Sequence, residues 1–181
     1  MKKCRLIITF DCNKSCPSCC NKYSTIMNSA IDIYNIKDIP LGVDEILITG
    51  GEPLLDIDKT LSILKEIDEI KYSKTKVYIY TAVWNNKFKR LVKYISGVQY
   101  SLHSFDKNEK RDFNYFQEYI KKQNISKRLY VDRAIKNYIK IIPNAWDSIK
   151  IENWKTEEQL LSITNSGLPY EEQLYILHEG G

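Results

Sequence analysis

The chain is notable first for what it has little of. No stretch of about 18 consecutive apolar residues occurs, so no membrane-spanning helix is expected. Nothing near the start reads as a signal peptide: Met1-Lys2-Lys3-Cys4-Arg5 leads into a short apolar run that meets Asp11. Low-complexity segments and clear linkers are missing as well. Neither charge sign dominates, with 27 Lys plus Arg against 23 Asp plus Glu and a net of +4. The pI of 8.6 falls short of a strongly basic domain and argues against a nucleic-acid surface. The short basic groups, such as Lys87, Lys89 and Arg90, read as solvated helix faces. Histidine occurs only twice, at His103 and His178. The 181 residues also fall short of the about 250 that a closed eightfold barrel typically needs. At about 30 residues per strand-plus-helix unit, roughly six units fit.

What is present suits a soluble packed domain, with 43% hydrophobic and 28% charged residues. A cytoplasmic location is expected. Disulfides are rare there, so five cysteines point to metal binding or chemistry. Short β-branched runs predict strands at 4–10, 45–49, 76–82, 98–103, 128–134 and 148–154. Such near-continuous apolar runs suit parallel strands buried on both faces. Helical spacing lies between them. Ile57, Leu61, Leu64 and Ile67 follow the N-cap candidate Asp56; Phe88, Leu91, Val92 and Ile95 form a second stripe, with Gly97 as its stop; Phe113, Phe116 and Ile120 form a third. Residues 21–38 are ambiguous and partly helical. Thr156 and Gln159 form a capping-box pattern that predicts a helix over 157–163. The alternation predicts an α/β fold, with a core over residues 1–155 and a C-terminal helical extension over 156–181.

The strongest signal follows the first strand: Cys12, Cys16 and Cys19 in a C-x3-C-x2-C spacing. A short loop of this kind presents three soft thiolates to three irons of an iron–sulfur cube and leaves one iron open. Cys4 lies eight residues upstream, roughly 26 Å away along a strand, and reads as a buried thiol. Cys20 diverges from its neighbour Cys19. A zinc knuckle or an electron-transfer cluster completed by Cys20 or a histidine is the alternative on the cysteines alone. The second signal is Thr49-Gly50-Gly51-Glu52-Pro53 after the second predicted strand. In a parallel sheet this loop emerges at the same carboxyl end as the cysteines, where ligands bind in α/β folds. Its glycines allow close backbone approach, and Glu52 can accept hydrogen bonds from an ammonium group.

With Cys12, Cys16 and Cys19 after one strand and Gly50-Gly51-Glu52-Pro53 after the next, the chain resembles the radical S-adenosylmethionine (SAM) enzyme superfamily over residues 4–103. The resemblance implies a partial, open (β/α)6 barrel and a [4Fe–4S] cluster on the three cysteines, whose unique iron chelates SAM. It implies reductive cleavage of SAM to a 5′-deoxyadenosyl radical that takes hydrogen from a small-molecule, nucleotide-like or peptide substrate. An external electron donor such as flavodoxin or ferredoxin goes with that chemistry. Gly50, Gly51 and Glu52 correspond to the strip that meets the methionine amino group. Ser101, within Tyr100-Ser101-Leu102-His103, corresponds to a ribose contact, and Arg133 to a carboxylate contact. Thr81 lines the site or caps its strand; His103 is a substrate or proton-transfer group or a satisfied core histidine. Position 18, usually aromatic in the superfamily, is Ser18 here, so adenine packing must come from elsewhere. Two alternatives stay open: an activase that installs a glycyl radical on a partner enzyme, and a non-enzymatic metal module. Six strands leave a barrel open on one side, so the last forty or so residues or a partner protein must cover it.

Overall fold

The computed structural model describes residues 2–16, 18–103 and 107–178; residues 1 and 179–181 of the two expected ranges lie outside these. Eight strands form one sheet: β1 (Lys3–Thr9), β2 (Ile31–Ile33), β3 (Glu45–Gly50), β4 (Lys76–Thr81), β5 (Gly97–Leu102), β6 (Ser126–Asp132), β7 (Ser148–Glu152) and β8 (Glu172–Leu177). Their order is β2-β8-β1-β3-β4-β5-β6-β7, every neighbouring pair is parallel, and the sheet does not close. All six predicted strands are there. The two further ones, β2 and β8, extend the sheet beyond β1. Strand β2 is three residues long inside the ambiguous stretch. Strand β8 lies in the expected helical extension, which is helical only over Glu157–Leu161. The Thr156–Gln159 capping box is formed, but it marks where a helix starts, not how far it runs.

Four α-helices accompany the sheet: α1 (Ser24–Asn28), α2 (Ile57–Ile70), α3 (Lys107–Ile120) and α4 (Glu157–Leu161). Asp56 caps α2, its side chain accepting from the Lys59 amide at 2.9 Å. Ile57, Ile63, Leu64 and Ile67 are its buried stripe, and Phe113, Phe116 and Ile120 are that of α3. The predicted helix between them is instead two short 3-10 turns, Asn86–Arg90 and Val92–Tyr94. Phe88 and Leu91, both fully buried, satisfy a three-residue turn as well as a 3.6-residue one. Gly97 stops no helix; it opens β5. A Cβ there would stand 2.4 Å from the Tyr78 ring and 2.6 Å from the Ser126 carbonyl oxygen.

Both faces of the central strands are buried, as the apolar runs predict, but they differ in chemistry. One face, through Cys4, Leu6, Ile8, Ile46, Ile48, Val77, Ile79, Val98, Tyr100, Leu102, Leu129 and Val131, packs into one core with α2 and α3 residues. The other face carries Lys3, Arg5, Glu45, Tyr78, Tyr80, Gln99, Ser101, Arg128 and Tyr130, which follows from the two-residue period of each strand. A smaller cluster of Ile7, Ile26, Leu168 and Leu174 packs on this face at the β1–β8 end, and Glu45, Leu47 and Tyr78 are buried further along it.

Charged residues on the polar face reveal its curvature. Arg128 on β6 donates to Glu45 on β3 at 2.9 Å. These strands are three steps apart, and the register places Arg128 four residues further along. On a flat, unstaggered sheet the two would be roughly 20 Å apart. The contact therefore requires a curved sheet with staggered strands, concave toward the polar face. Lys3 adds a second cation on Glu45 at 3.3 Å, and Arg5 binds Glu172 at 2.7 Å. The Arg128 guanidinium lies 3.8 Å from the Tyr78 ring centroid, and Arg5 lies 5.1 Å from that of Tyr80. This network crosses the amino-terminal end of the concavity and leaves the carboxyl end open.

Burial alone would raise the Glu45 carboxyl, but the Arg128 and Lys3 cations outweigh it and hold it below the usual carboxylate range. Such a depressed acid stabilises the fold above the unfolded carboxylate pKa of about 4.3 and loses that contribution as pH falls through its lower folded value. Arg128→Ala is expected to cost about 2 kcal/mol at pH 7 in urea unfolding, discounted from a fully buried pair because the arginine is part-exposed. The gap to the parent should narrow below about pH 4 as Glu45 protonates. A constant gap across that range would mean that lost packing, not charge, sets the cost.

Candidate iron–sulfur site

The cysteine loop leaves β1 at Thr9, whose hydroxyl accepts from the Asp11 amide at 3.1 Å. Cys12 is exposed, while Cys16 and Cys19 are half-buried. The Lys14 amide meets the Cys12 thiol at 3.4 Å. Burial first, then Cys19 and Cys12, push the Cys16 thiol up, so the three sulfurs sense one another. Among the described residues, no three His, Cys, Asp or Glu side chains already form a metal-holding group. The loop presents thiols rather than an assembled chelate. Three soft, accessible thiols on one loop fit a [4Fe–4S] cluster with one iron left unprotected by protein. Cys20 sits in the following turn, its thiol 3.8 Å from the Asn21 side-chain oxygen. Cys4 is fully buried on β1 and burial pushes its thiol up to about 12, which suits an inert core residue.

The Gly50-Gly51-Glu52 loop is built against this cysteine loop. The Gly51 amide donates to the Thr9 carbonyl at 2.7 Å, and the Glu52 amide to the Asp11 carbonyl at 2.8 Å. Asn21, just beyond the cysteines, donates its side-chain amide to the Gly50 carbonyl at 2.6 Å. Gly50 has φ of +123°, and a Cβ there would lie 2.3 Å from the Thr9 carbonyl oxygen. A Cβ on Gly51 would lie 2.1 Å from that of Asp11. The glycines therefore allow close approach of the chain's own backbone.

Glu52 is buried, 2% exposed. One of its carboxylate oxygens accepts from the Thr81 hydroxyl at 2.7 Å and the Leu54 amide at 3.0 Å; the other accepts from the Ala82 amide at 2.8 Å. Three of about four lone-pair positions are thus taken within the chain. Burial raises its carboxyl despite these donors. Thr81 also accepts from the Val83 amide at 3.1 Å, the strand-end cap anticipated as one of its two roles.

Ser101 lies near the carboxyl end of β5, and with Lys14, Cys16, Ala82, His103 and Glu109 it lines a narrow cleft. His103 is not a satisfied core histidine: its Nδ1 is buried with no hydrogen-bond partner among the described residues. Burial lowers its imidazole to about 4, which keeps the ring neutral near pH 7. Arg133 is exposed and stands in the turn after β6, which ends one residue earlier at Asp132. The structure brings Ser101 to the cleft that Cys16 lines, whereas Arg133 makes no ion pair among the described residues.

Three contributors were not legible beforehand. Lys14 pairs with Glu109 of α3, both nearly buried, and the two residues also line a larger cleft of about 300 Å³ with Asn13, Leu54, Val83 and Trp84. Trp154, after β7, donates its indole N–H to the Ser18 carbonyl between Cys16 and Cys19. Asn21 is the third. Lys14 had a signal, a cation between two ligand positions. The partner of Trp154 is 136 residues away, beyond any local pattern.

A family described as "4Fe-4S single cluster domain" matches residues 3–126. The chain belongs to that family. No curated protein matches it. The match runs from the first residue of β1 to the first of β6, so this single cluster domain includes the cysteine loop, the glycine loop and the β5 residues of the cleft. No helix among its described residues is long and apolar enough to cross a membrane.

Gly51→Ala is expected to force the cysteine loop away, because the obstructing atom is backbone and cannot swing aside. Loss of about 3 kcal/mol in stability and of most reconstituted iron should follow, measured by denaturant unfolding and iron assay. Full iron content in a stable Gly51→Ala protein would show that the docking is dispensable.

Proposed function

We propose that the chain is a radical SAM enzyme. In this reading Cys12, Cys16 and Cys19 hold the [4Fe–4S] cluster, and SAM binds at the iron they leave free. When bound and reduced, the cluster supplies the electron that cleaves SAM to methionine and a 5′-deoxyadenosyl radical, which takes a hydrogen atom from the substrate. The observation that carries the reading is the backbone docking of the two loops. Gly51 and Glu52 are hydrogen-bonded to Thr9 and Asp11, so the glycine loop lies beside the cysteines at the open carboxyl end of a parallel sheet.

The chain's own residues then divide the work. Glu52 holds the glycine loop to the end of β4, which keeps the half-buried backbone of Gly50 and Gly51 beside the cysteines to meet the amino group of SAM. Ser101 offers a hydroxyl and His103 an unpaired ring nitrogen beside Cys16, suited to the adenosyl moiety. Arg133 is free to turn toward a carboxylate at the same end. Trp154, packed on His103 and Tyr130, supplies the aromatic surface that Ser18 lacks. The cleft of about 300 Å³ is at the lower end of the metabolite range and suits a small molecule or a short peptide segment. An external one-electron donor such as flavodoxin or ferredoxin completes the system.

Anaerobically reconstituted protein should carry about four irons and, with a strong reductant, release 5′-deoxyadenosine from SAM. Replacing Cys12, Cys16 and Cys19 with Ala should abolish both. SAM cleavage by the triple variant would sink the assignment; a stable cluster in the parent without any response to SAM would favour an electron-transfer module.

A further inference from the structure

We propose that Trp154 is a positioning residue that holds the second half of the cysteine loop in shape for the cluster, as the leading part of a strap formed by residues 154–157. This rests on cluster binding alone and needs no SAM chemistry.

Three hydrogen bonds tie residues 154–157 to residues 18–25. The Trp154 indole N–H donates to the Ser18 carbonyl. The Tyr23 hydroxyl donates to the Lys155 carbonyl at 3.1 Å. The Thr25 amide donates to the Glu157 carboxylate at 2.9 Å. The partners are at least 132 residues apart in sequence, so each bond is a tertiary constraint on the loop rather than a local turn. Glu157 is itself placed by the Thr156–Gln159 capping box at the start of α4.

The donor is held rigidly. Its ring meets His103 edge-on with centroids 3.8 Å apart, and meets Tyr130 edge-on at 5.1 Å. His103 follows the last residue of β5 and Tyr130 lies two residues before the end of β6, so the indole packs against the sheet. Among the described residues, Lys14 and Glu109 anchor the first half of the loop to α3, and Trp154 anchors the second half to the segment after β7. Fixing a loop before it binds removes ordering entropy from the binding step. The strap also lies beyond residue 126, where the family match ends.

The test separates positioning from packing. Trp154→Phe keeps an aromatic ring and removes the donor; Tyr23→Phe removes a single hydroxyl. Both would be reconstituted anaerobically and challenged with an iron(II) chelator while cluster absorbance is followed, with thermal melting of each iron-free protein in parallel. The loss of one hydrogen bond predicts about fivefold faster iron release for Trp154→Phe, a smaller acceleration for Tyr23→Phe, and little change in melting of either iron-free protein. Parent-like release rates in both variants would overturn the proposal. So would acceleration matched by a proportionate fall in melting temperature, which would make Trp154 a packing residue only. A parent protein that takes up no iron would remove the cluster reading and the proposal with it.

Discussion

Everything at the carboxyl end of this sheet depends on how closely two stretches of backbone approach. The amides of Gly51 and Glu52 reach the carbonyls of Thr9 and Asp11, and that approach leaves no room for a Cβ at either glycine. The cysteine loop begins at this seam. Glu52 fixes it from the other side by accepting from Thr81, Leu54 and Ala82, which ties β3 to β4. A buried carboxylate is costly, and burial raises this one toward its neutral form. Three internal donors offset that cost. The buried carboxyl organises the loop through the donors it accepts from.

The same division between framework and function runs along the strands. At the amino-terminal end, Lys3, Glu45, Arg128, Arg5 and Glu172 pair across the concave face. These pairs span staggered strands, so they hold the curvature as well as the charge balance. At the carboxyl end the same face changes character. Ser101 and His103 line a cleft with Cys16, and the His103 Nδ1 is left without a partner. Buried polar atoms are normally satisfied. The unpartnered Nδ1 beside a cysteine of the loop is therefore an exception among the described residues.

Sequence reasoning succeeded where a signal was local. The α/β alternation, six of the eight strands, the Asp56 cap and the cysteine spacing all sit within a few residues of their cause. Two features of the pattern were less legible. Strands such as Cys-Arg-Leu-Ile-Ile-Thr look continuously apolar, yet Lys3, Arg5, Tyr78, Tyr80 and Arg128 recur on alternate positions and belong to one polar face. Long side chains carry enough apolar stem and ring to be half-buried, so they dilute the alternation. Likewise Phe88 and Leu91 at a spacing of three served a 3-10 turn as well as an α-helix. Of the expected site residues, Ser101 was brought to the cysteines and Arg133 was left exposed, because β6 ends one residue before it.

The least legible part was the C-terminal third, and the reason is physical. Its residues act through contacts more than a hundred positions away: β8 pairs with β1, and Trp154 bonds to Ser18. Here an absence noted in the sequence meets its structural counterpart. Position 18 lacks an aromatic side chain, and the indole of Trp154 occupies the space beside it by bonding to the Ser18 backbone, which any residue would offer. Cover comes from α1 and α4 at the β1–β8 end and from the segment after β7 at the cysteine loop.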